Sequence, residues 1–244
     1  MVCDTDQGST GNGAQRIDAV TASASDGPPI YLLPGMTREY PVFARLIPLL
    51  RNATVIQLID PEHHESLRSY AARMSKHLSP DGYLVGVSFG GIVAAEVSRI
   101  IRPQGCVLVS SVCGPHQLPP WLRVCRMIGR RHGAAILNMV GHAAGVVPRR
   151  VGSRSIIRLG KLSGTKGAWH RWATSAVLDW QPDPRPFDFP VLQIHGDADR
   201  TFPIRYIGAD VVVSGGGHAL PMSHPNDTAY AIVAFTSTIS QAGR

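Results

Sequence analysis

The sequence contains little cysteine and no long apolar run, and each shortage excludes a class of protein. Its 244 residues include four cysteines, Cys3, Cys106, Cys113 and Cys125. Their spacings fit neither a zinc site nor a small disulfide framework, so we expect free thiols. No apolar stretch approaches the roughly 20 residues that a membrane-spanning helix needs, and residues 1–28 lack the apolar core of a secretory signal. We therefore expect a soluble, cytoplasmic protein.

A further absence is local, because no Asp or Glu occurs between Gly114 and Leu178 while 11 Lys or Arg do. The chain carries a net charge of +7, and the residues outside this segment include 13 positive and 17 negative ones. All of the basic excess therefore lies in one segment, which presents an unbroken positive potential. This pattern favours an anionic substrate or an acidic carrier.

The same basic segment leaves two other partners open. The apolar residues Trp121, Val124, Cys125 and Ile128 share one helical face with arginines around it, a pattern typical of peripheral contact with an anionic membrane. Nucleic acid is not an expected partner, because the segment has few aromatic residues and the remainder of the chain is acidic. The sequence does not determine the oligomeric state.

Short apolar runs alternate with helical patterns along most of the chain. The runs predict buried strands at residues 29–33, 54–59, 83–87, 106–109, 191–195 and 209–213. The helical patterns lie at residues 38–50, 66–78, 90–101 and 227–240, the last with Asn226 or Asp227 as its cap. Such alternation predicts an α/β fold with a doubly wound, mostly parallel sheet, in which ligands bind beyond the carboxyl ends of the strands.

The predicted domain organisation is simple. Residues 1–28 are rich in small and polar residues without a sustained period, so we expect a flexible N-terminal tail, followed by one domain over residues 29–244. Residues 114–187 interrupt the rhythm of strand and helix before the penultimate strand. They predict short helices at 121–131, 134–145, 153–161 and 167–178. An insertion of this kind is most simply a helical lid over the site.

The motif Gly86-Val-Ser-Phe-Gly90 lies where a predicted strand turns into a predicted helix. A serine hydroxyl is a poor nucleophile unless it is held exposed on a sharp turn, within reach of a base and beside free backbone N–H groups. The string by itself is a weak signal, and its strand–turn–helix context makes Ser88 the candidate nucleophile. The alternative is a glycine-rich turn with an incidental serine.

Three landmarks in the same order resemble the α/β-hydrolase superfamily. They are Leu32-Leu-Pro-Gly-Met36, Gly86-Val-Ser-Phe-Gly90, and Ile194-His-Gly-Asp-Ala-Asp-Arg200 followed by Gly217-His-Ala-Leu220. The resemblance implies the α/β-hydrolase fold with Asp199 as the orienting acid and His218 as the general base. Asp197 could substitute for Asp199. The chain order of Ser, Asp and His agrees with this fold.

The oxyanion hole implied by the resemblance uses two backbone N–H groups, those of Phe89 and Met36. The loop after the first strand reads Pro34-Gly-Met36 where many relatives have His-Gly, so Thr37 is the fallback for the second donor. Both groups act through the backbone, so side-chain identity says little about them. The mechanism needs no cofactor, and we expect neither an organic cofactor nor a metal.

These residues predict an enzyme, a carboxylic ester hydrolase that forms an acyl-serine intermediate. The expected substrate is a small acyl ester. The main alternative is a thioesterase that acts on acyl groups of coenzyme A or of an acidic carrier protein, because the basic lid favours an anionic partner. A serine nucleophile argues against the haloalkane and epoxide branches of the superfamily, which use aspartate there. An alternative of another class is a ligand-binding protein that keeps the fold without catalysis.

Overall fold

The computed structural model describes residues 19–21, 27–38, 40–122, 165–181 and 183–242. Its centre is a seven-stranded sheet of order β1-β3-β2-β4-β5-β6-β7. The strands are β1 (Ala19–Thr21), β2 (Ile30–Leu33), β3 (Ala53–Ile56), β4 (Tyr83–Val87), β5 (Gly105–Val109), β6 (Val191–Gly196) and β7 (Val211–Val213). Strands β2 to β7 are parallel, and β1 pairs antiparallel with β3. The predicted doubly wound, mostly parallel α/β fold is confirmed.

Strand β1 corrects one detail of the sequence-based prediction. It lies within residues 1–28, where the sequence predicted a tail without regular structure. Three residues are too few to show an alternating pattern, and the strand is defined by its pairing with the edge of β3, from Ala19 opposite Ile56 to Thr21 opposite Thr54. The six predicted strands are all present, with β3 ending at Ile56 rather than at residue 59.

The described helices pack on both faces of the sheet. They are α1 (Leu67–Ser75), α2 (Phe89–Ile101), α3 (Thr165–Leu178), α4 (Leu220–Ser223) and α5 (Pro225–Ala242). Buried side chains of α1, α2 and α3 form one apolar cluster with one face of the sheet. Buried side chains of α5 form the other, together with the segment between β2 and β3. No helix in the described part of the chain is both long and apolar enough to cross a membrane.

Two of the helix predictions need correction, and proline explains both. Residues 38–50 were predicted as one helix but form two short 3-10 helices, Tyr40–Phe43 and Ile47–Leu49. Pro41 and Pro48 lack the N–H that an α-helix needs in its interior. The last helix begins at Pro225, so neither Asn226 nor Asp227 is its cap. A proline suits the first turn, where its missing N–H would have no partner within the helix.

The insertion before β6 is described only in part. Helix α3 confirms the last of its predicted helices. Residues 123–164 lie outside the described residues, with the helices predicted at 134–145 and 153–161, most of the helix predicted at 121–131, and Cys125. Cys3 lies outside them as well, while Cys106 is a buried free thiol and Cys113 a half-buried one. Helix α3 packs against the α2 side of the core through Trp169, Ala173, Ala176 and Val177.

The sheet order places a crevice beside β4. The chain moves from β2 outward to β3, crosses back to β4, and then continues outward in the other direction through β5, β6 and β7. Ligands of open α/β sheets bind at such a reversal, beyond the carboxyl ends of the strands. Leu33 at the end of β2 pairs with Gly86 near the end of β4, so the loops that follow these two strands emerge side by side.

A buried hydrogen bond between the insertion and α2 yields a stability prediction. Trp180 donates its Nε1–H to Glu96 Oε1 at 2.9 Å, and both residues are buried. Trp180→Phe deprives a buried carboxylate of this donor, so we expect the free energy of unfolding to fall by about 1–3 kcal/mol. Chemical denaturation measures it. The double variant Trp180→Phe/Glu96→Leu should recover part of the loss, and a double variant with an additive loss would contradict this explanation.

Candidate active site

Ser88 lies on the sharp turn between β4 and α2, in a backbone conformation unusual for a residue other than glycine, with φ 54° and ψ −120°. The turn is tight because the surrounding glycines allow close packing. A Cβ on Gly86 would lie 2.3 Å from the Gly90 carbonyl oxygen, and a Cβ on Gly90 would lie 2.2 Å from the Pro34 carbonyl oxygen. Only glycine fits at these positions. The turn thus presents the Ser88 hydroxyl to the crevice.

His218 and Asp199 complete a hydrogen-bonded chain with Ser88. His218 Nε2 lies 2.8 Å from Ser88 Oγ, and His218 Nδ1 lies 2.9 Å from Asp199 Oδ2. A carboxylate can only accept, so Nδ1 carries the proton, which leaves Nε2 free to accept from the serine hydroxyl. Ser88 follows β4, Asp199 follows β6 and His218 follows β7. The carboxyl ends of these parallel strands lie at one edge of the sheet.

The Asp199 carboxylate is buried but well supplied with donors. Its Oδ1 accepts from the backbone N–H groups of Thr201 and Phe202, at 2.8 and 3.1 Å, and its Oδ2 faces both His218 and His195. Burial by itself raises the pKa of Asp199, but the hydrogen bonds from His195, His218 and the Phe202 N–H hold that pKa well below its usual value. The carboxylate is therefore ionised at neutral pH.

The two carboxylates of the Asp197-Ala-Asp199 turn have different surroundings. Asp197 is exposed, and its Oδ1 accepts from the Gly215 N–H at 2.7 Å, which ties the turn after β6 to the turn after β7. The Asp199 carboxylate is completely buried and points to the His218 ring. The geometry therefore pairs His218 with Asp199, while Asp197 joins the two loops.

Sequence reasoning did not anticipate the second histidine on Asp199. His195, at the end of β6, is fully buried, and its Nε2 lies 2.7 Å from the Phe202 carbonyl oxygen and 3.2 Å from Asp199 Oδ2. A carbonyl oxygen can only accept, so Nε2 carries a proton that Asp199 shares. His195 stands next to Gly196 in the motif that identified Asp199, but that motif does not state which atoms the imidazole contacts.

Two backbone segments lie next to Ser88, namely the first turn of α2 and the loop after β2. Phe89 is the first residue of α2, and the first N–H groups of a helix have no partner within it. The Arg38 N–H donates to the Gly35 carbonyl at 2.9 Å and closes a four-residue turn, which we call the Gly35–Arg38 turn. This bond does not use the N–H groups of the two central residues, Met36 and Thr37. A Cβ on Gly35 would lie 3.5 Å from Ser88 Cβ, so the turn lies against the serine.

A cavity of about 350 Å³ adjoins Ser88 and His218. Its walls include Val42, Phe89, Ile92, Trp121, Leu122, Val177, Leu178 and Phe202. Met36, Thr37, Thr174 and Thr201 also contribute, and none of the described residues that line the cavity is an Asp, Glu, Lys or Arg. The described side chains around this space are therefore mostly apolar, and Ser88 and His218 are among its few polar residues.

The comparisons with known proteins agree with this architecture. Residues 30–231 match the model of a family described as the alpha/beta hydrolase family. No curated protein matches the chain in sequence.

Several solved structures share the fold at low identity. MenH from S. aureus is 15% identical with a TM-score of 0.68, covering 93% of this chain and 99% of that one. A thermophilic esterase from Thermogutta terrifontis is 21% identical with a TM-score of 0.60, covering 91% and 94%. The enol-lactonase from Burkholderia xenovorans LB400 is 14% identical with a TM-score of 0.63, covering 91% and 96%. At these identities the likeness establishes the fold alone.

The low pKa of Asp199 predicts how stability depends on pH. The carboxyl of an unfolded Asp has a pKa of about 3.9. Because the folded pKa is lower, the stability contributed by this carboxylate is fully present above the unfolded pKa and is lost as the pH falls toward the folded one. Asp199→Asn should therefore lose less stability than the wild type between pH 5 and pH 3. Urea denaturation across this range measures both slopes, and equal slopes would contradict the assignment.

Proposed function

The chain belongs to the alpha/beta hydrolase family, and we propose that it is a serine hydrolase that cleaves carboxylic esters through a covalent acyl-serine intermediate. The observation that carries the proposal is the continuous hydrogen-bonded chain from Ser88 Oγ through His218 to Asp199. In this chain Asp199 accepts from the His218 Nδ1–H, and His218 Nε2 can accept the proton of the serine hydroxyl, as nucleophilic catalysis by serine needs.

The proposed reaction proceeds in two halves. Ser88 Oγ attacks the ester carbonyl carbon while His218 Nε2 takes the hydroxyl proton, and the C–O bond to the alcohol then breaks as His218 returns that proton to the leaving oxygen. His218 Nε2 then takes a proton from water, which attacks the acyl carbon, and returns that proton to Ser88 Oγ as the acyl–oxygen bond breaks, so that the acid and the free serine are released. Asp199 holds the imidazole and stabilises its protonated form.

The negative charge that develops on the carbonyl oxygen needs backbone donors. We assign this role to the Phe89 N–H and to the Met36 N–H, with the Thr37 N–H as the alternative second donor. Support for the assignment comes from the position of Phe89 at the start of α2, from the Met36 and Thr37 N–H groups, which the bond that closes the Gly35–Arg38 turn does not use, and from the contact of that turn with Ser88. Loss of one such donor typically costs 10²–10³ in turnover.

The apolar cavity supports an uncharged, aliphatic or aromatic acyl group as the substrate. Burying a carboxylate among these side chains without a cationic partner would cost several kcal/mol, because the ion would lose its hydration. Helix α3 contributes Thr174, Val177 and Leu178 to the cavity wall. This contribution supports the proposal that residues 114–187 form a lid.

A thioesterase is the second candidate, and one observation favours it. The segment from Gly114 to Leu178 contains 11 Lys or Arg without an Asp or Glu. This concentration of positive charge would attract the phosphates of coenzyme A or an acidic carrier protein, while the acyl group entered the same apolar cavity. The two candidates therefore share the acyl site and the mechanism and differ in the leaving group.

Ser88→Ala should abolish both turnover and covalent labelling while the fold remains intact. The substitution removes the attacking oxygen and leaves the core volume unchanged. An alkyl fluorophosphonate should label the wild type at Ser88, as detected by mass spectrometry of the peptide, and should leave the variant unmodified. Ester hydrolysis by the variant at more than a few per cent of the wild-type rate, at an unchanged melting temperature, would exclude the covalent mechanism. A wild type that neither hydrolyses esters nor reacts with the probe would indicate a non-catalytic binding protein.

The apolar cavity predicts a dependence on acyl length. For p-nitrophenyl acetate, butanoate and hexanoate, kcat/KM should rise by up to about fourfold per methylene, which corresponds to about 0.8 kcal/mol for each buried CH₂. The mono-p-nitrophenyl ester of succinic acid has the same four carbons as the butanoate and should react at least about tenfold more slowly, because none of the described residues that line the cavity offers its carboxylate a cationic partner. A flat series, or a preference for the succinate, would contradict this acyl specificity.

The leaving group is tested with the same acyl groups. Butanoyl- and hexanoyl-coenzyme A are compared with the matching p-nitrophenyl esters at low and high salt. A thioesterase that uses the basic segment should prefer the coenzyme A substrates and lose that preference as salt screens the charges. A preference for the neutral esters at every ionic strength would leave the ester hydrolase as the function.

A further inference from the structure

The buried side chain of Trp169 joins helix α3 to the Gly35–Arg38 turn. Trp169 donates its Nε1–H to the Met36 carbonyl oxygen at 2.7 Å, and the tryptophan is only 2% exposed. It does not line the cavity beside Ser88. The indole therefore contacts the turn outside the lining of the cavity that adjoins Ser88.

The same indole also supports the last residue of the turn. The guanidinium of Arg38 lies over the Trp169 ring, 4.4 Å from the ring centroid. The other side of that guanidinium is tied to the segment after β3, because it donates to the Leu58 carbonyl oxygen and pairs with Asp60 at 2.6 Å. The turn is thus fixed at its second residue by a hydrogen bond and at its fourth by a stacked, ion-paired arginine.

The hydrogen bond acts on the peptide groups that matter for an oxyanion hole. The Met36 carbonyl and the Thr37 N–H belong to one peptide plane, so a donor on this carbonyl sets the direction of that N–H and polarises it. The neighbouring Met36 N–H shares the Cα atom with this carbonyl. Anchoring the Met36 carbonyl therefore restricts both candidate donors of the turn.

We infer that Trp169 is a positioning residue, through which helix α3 holds the Gly35–Arg38 turn in the geometry that stabilises the oxyanion. The inference rests on the proposed function. It makes the insertion before β6 part of the catalytic arrangement and not only a cover, because displacement of α3 would release the Met36 carbonyl and loosen the donors beside Ser88.

The chain provides a matched control on the same helix. Trp172 lies one turn further along α3 and donates its Nε1–H to the Glu65 carbonyl oxygen, also at 2.7 Å. Both indoles contact the rings of Phe89 and Tyr70. Substitution of either tryptophan by Phe removes one hydrogen bond and part of one ring from the same cluster. The difference between them is that Trp169 donates to the turn, whereas Trp172 donates to the segment before α1.

The experiment compares Trp169→Phe with Trp172→Phe on the best p-nitrophenyl ester. We expect kcat to fall about tenfold for Trp169→Phe with KM nearly unchanged, a smaller loss than removal of an oxyanion donor outright. A trifluoromethyl ketone with the same acyl chain forms a tetrahedral adduct with serine and reports on the oxyanion directly. Its inhibition constant should rise by about the same factor. Trp172→Phe should keep kcat and the inhibition constant within about twofold of the wild type.

Each outcome decides the question. Equal losses in both variants would show that the tryptophans act through packing of α3 in general, and no loss in Trp169→Phe would show that the turn keeps its geometry unaided. Either result overturns the inference. Failure of the proposed function itself is seen in a different protein, because a wild type that is inert to esters and to fluorophosphonate would refute it before any variant is compared.

A second variant keeps the test valid if Trp169→Phe fails to fold. Replacement of Trp169 by 3-benzothienylalanine retains the shape of the indole and substitutes sulfur for the N–H. The packing and the stacked Arg38 remain, while the donor to the Met36 carbonyl is lost. The same fall in kcat and rise in the inhibition constant are expected, and wild-type values for this isosteric variant would overturn the inference.

Discussion

The close approach of helix α2 to strands β2 and β4 is the constraint on which the site depends. Gly86 and Gly90 permit it, because a Cβ on either would meet backbone atoms at 2.3 Å or less. The approach forces Ser88 into a conformation that costs on the order of 1–3 kcal/mol, a cost that the surrounding packing must offset. It also brings the Gly35–Arg38 turn against the serine. The positions of Ser88, of the Gly35–Arg38 turn and of the adjoining cavity therefore all depend on the close packing of α2 against β2 and β4.

The buried carboxylate of Asp199 depends on a second set of contacts. A lone carboxylate in this position would be neutralised by its burial, but two backbone N–H groups and two imidazoles supply four donors. These donors come from the strand ends and loops of β6 and β7. The Asp199 carboxylate is therefore held by the loops at the carboxyl ends of β6 and β7, and Ser88 is held where α2 packs against β2 and β4. His218 is the link between the two.

Helix α3 combines two tasks that are often separate. On one side it contributes apolar wall to the cavity through Val177 and Leu178. On the other it contributes indole donors to backbone carbonyls of the turn after β2 and of the segment before α1. Helix α3 therefore contributes both to the wall of the cavity beside Ser88 and to the support of the neighbouring turn.

The sequence by itself determined the fold class and the six parallel strands, because strand patterns are local signals, and its glycine-rich turn predicted Ser88. The prediction of Asp199 and His218 came from the resemblance to a known family, and the structure brings both residues into one hydrogen-bonded chain with Ser88. It did not resolve β1, which only its pairing defines, or the proline-interrupted segment at 38–50. The contacts of His195, the separation of Asp197 from Asp199, and the bond from Trp169 to Met36 join residues far apart in the chain or differ only in side-chain direction. Such contacts arise when the sheet orders its strands, so only the tertiary structure decided them.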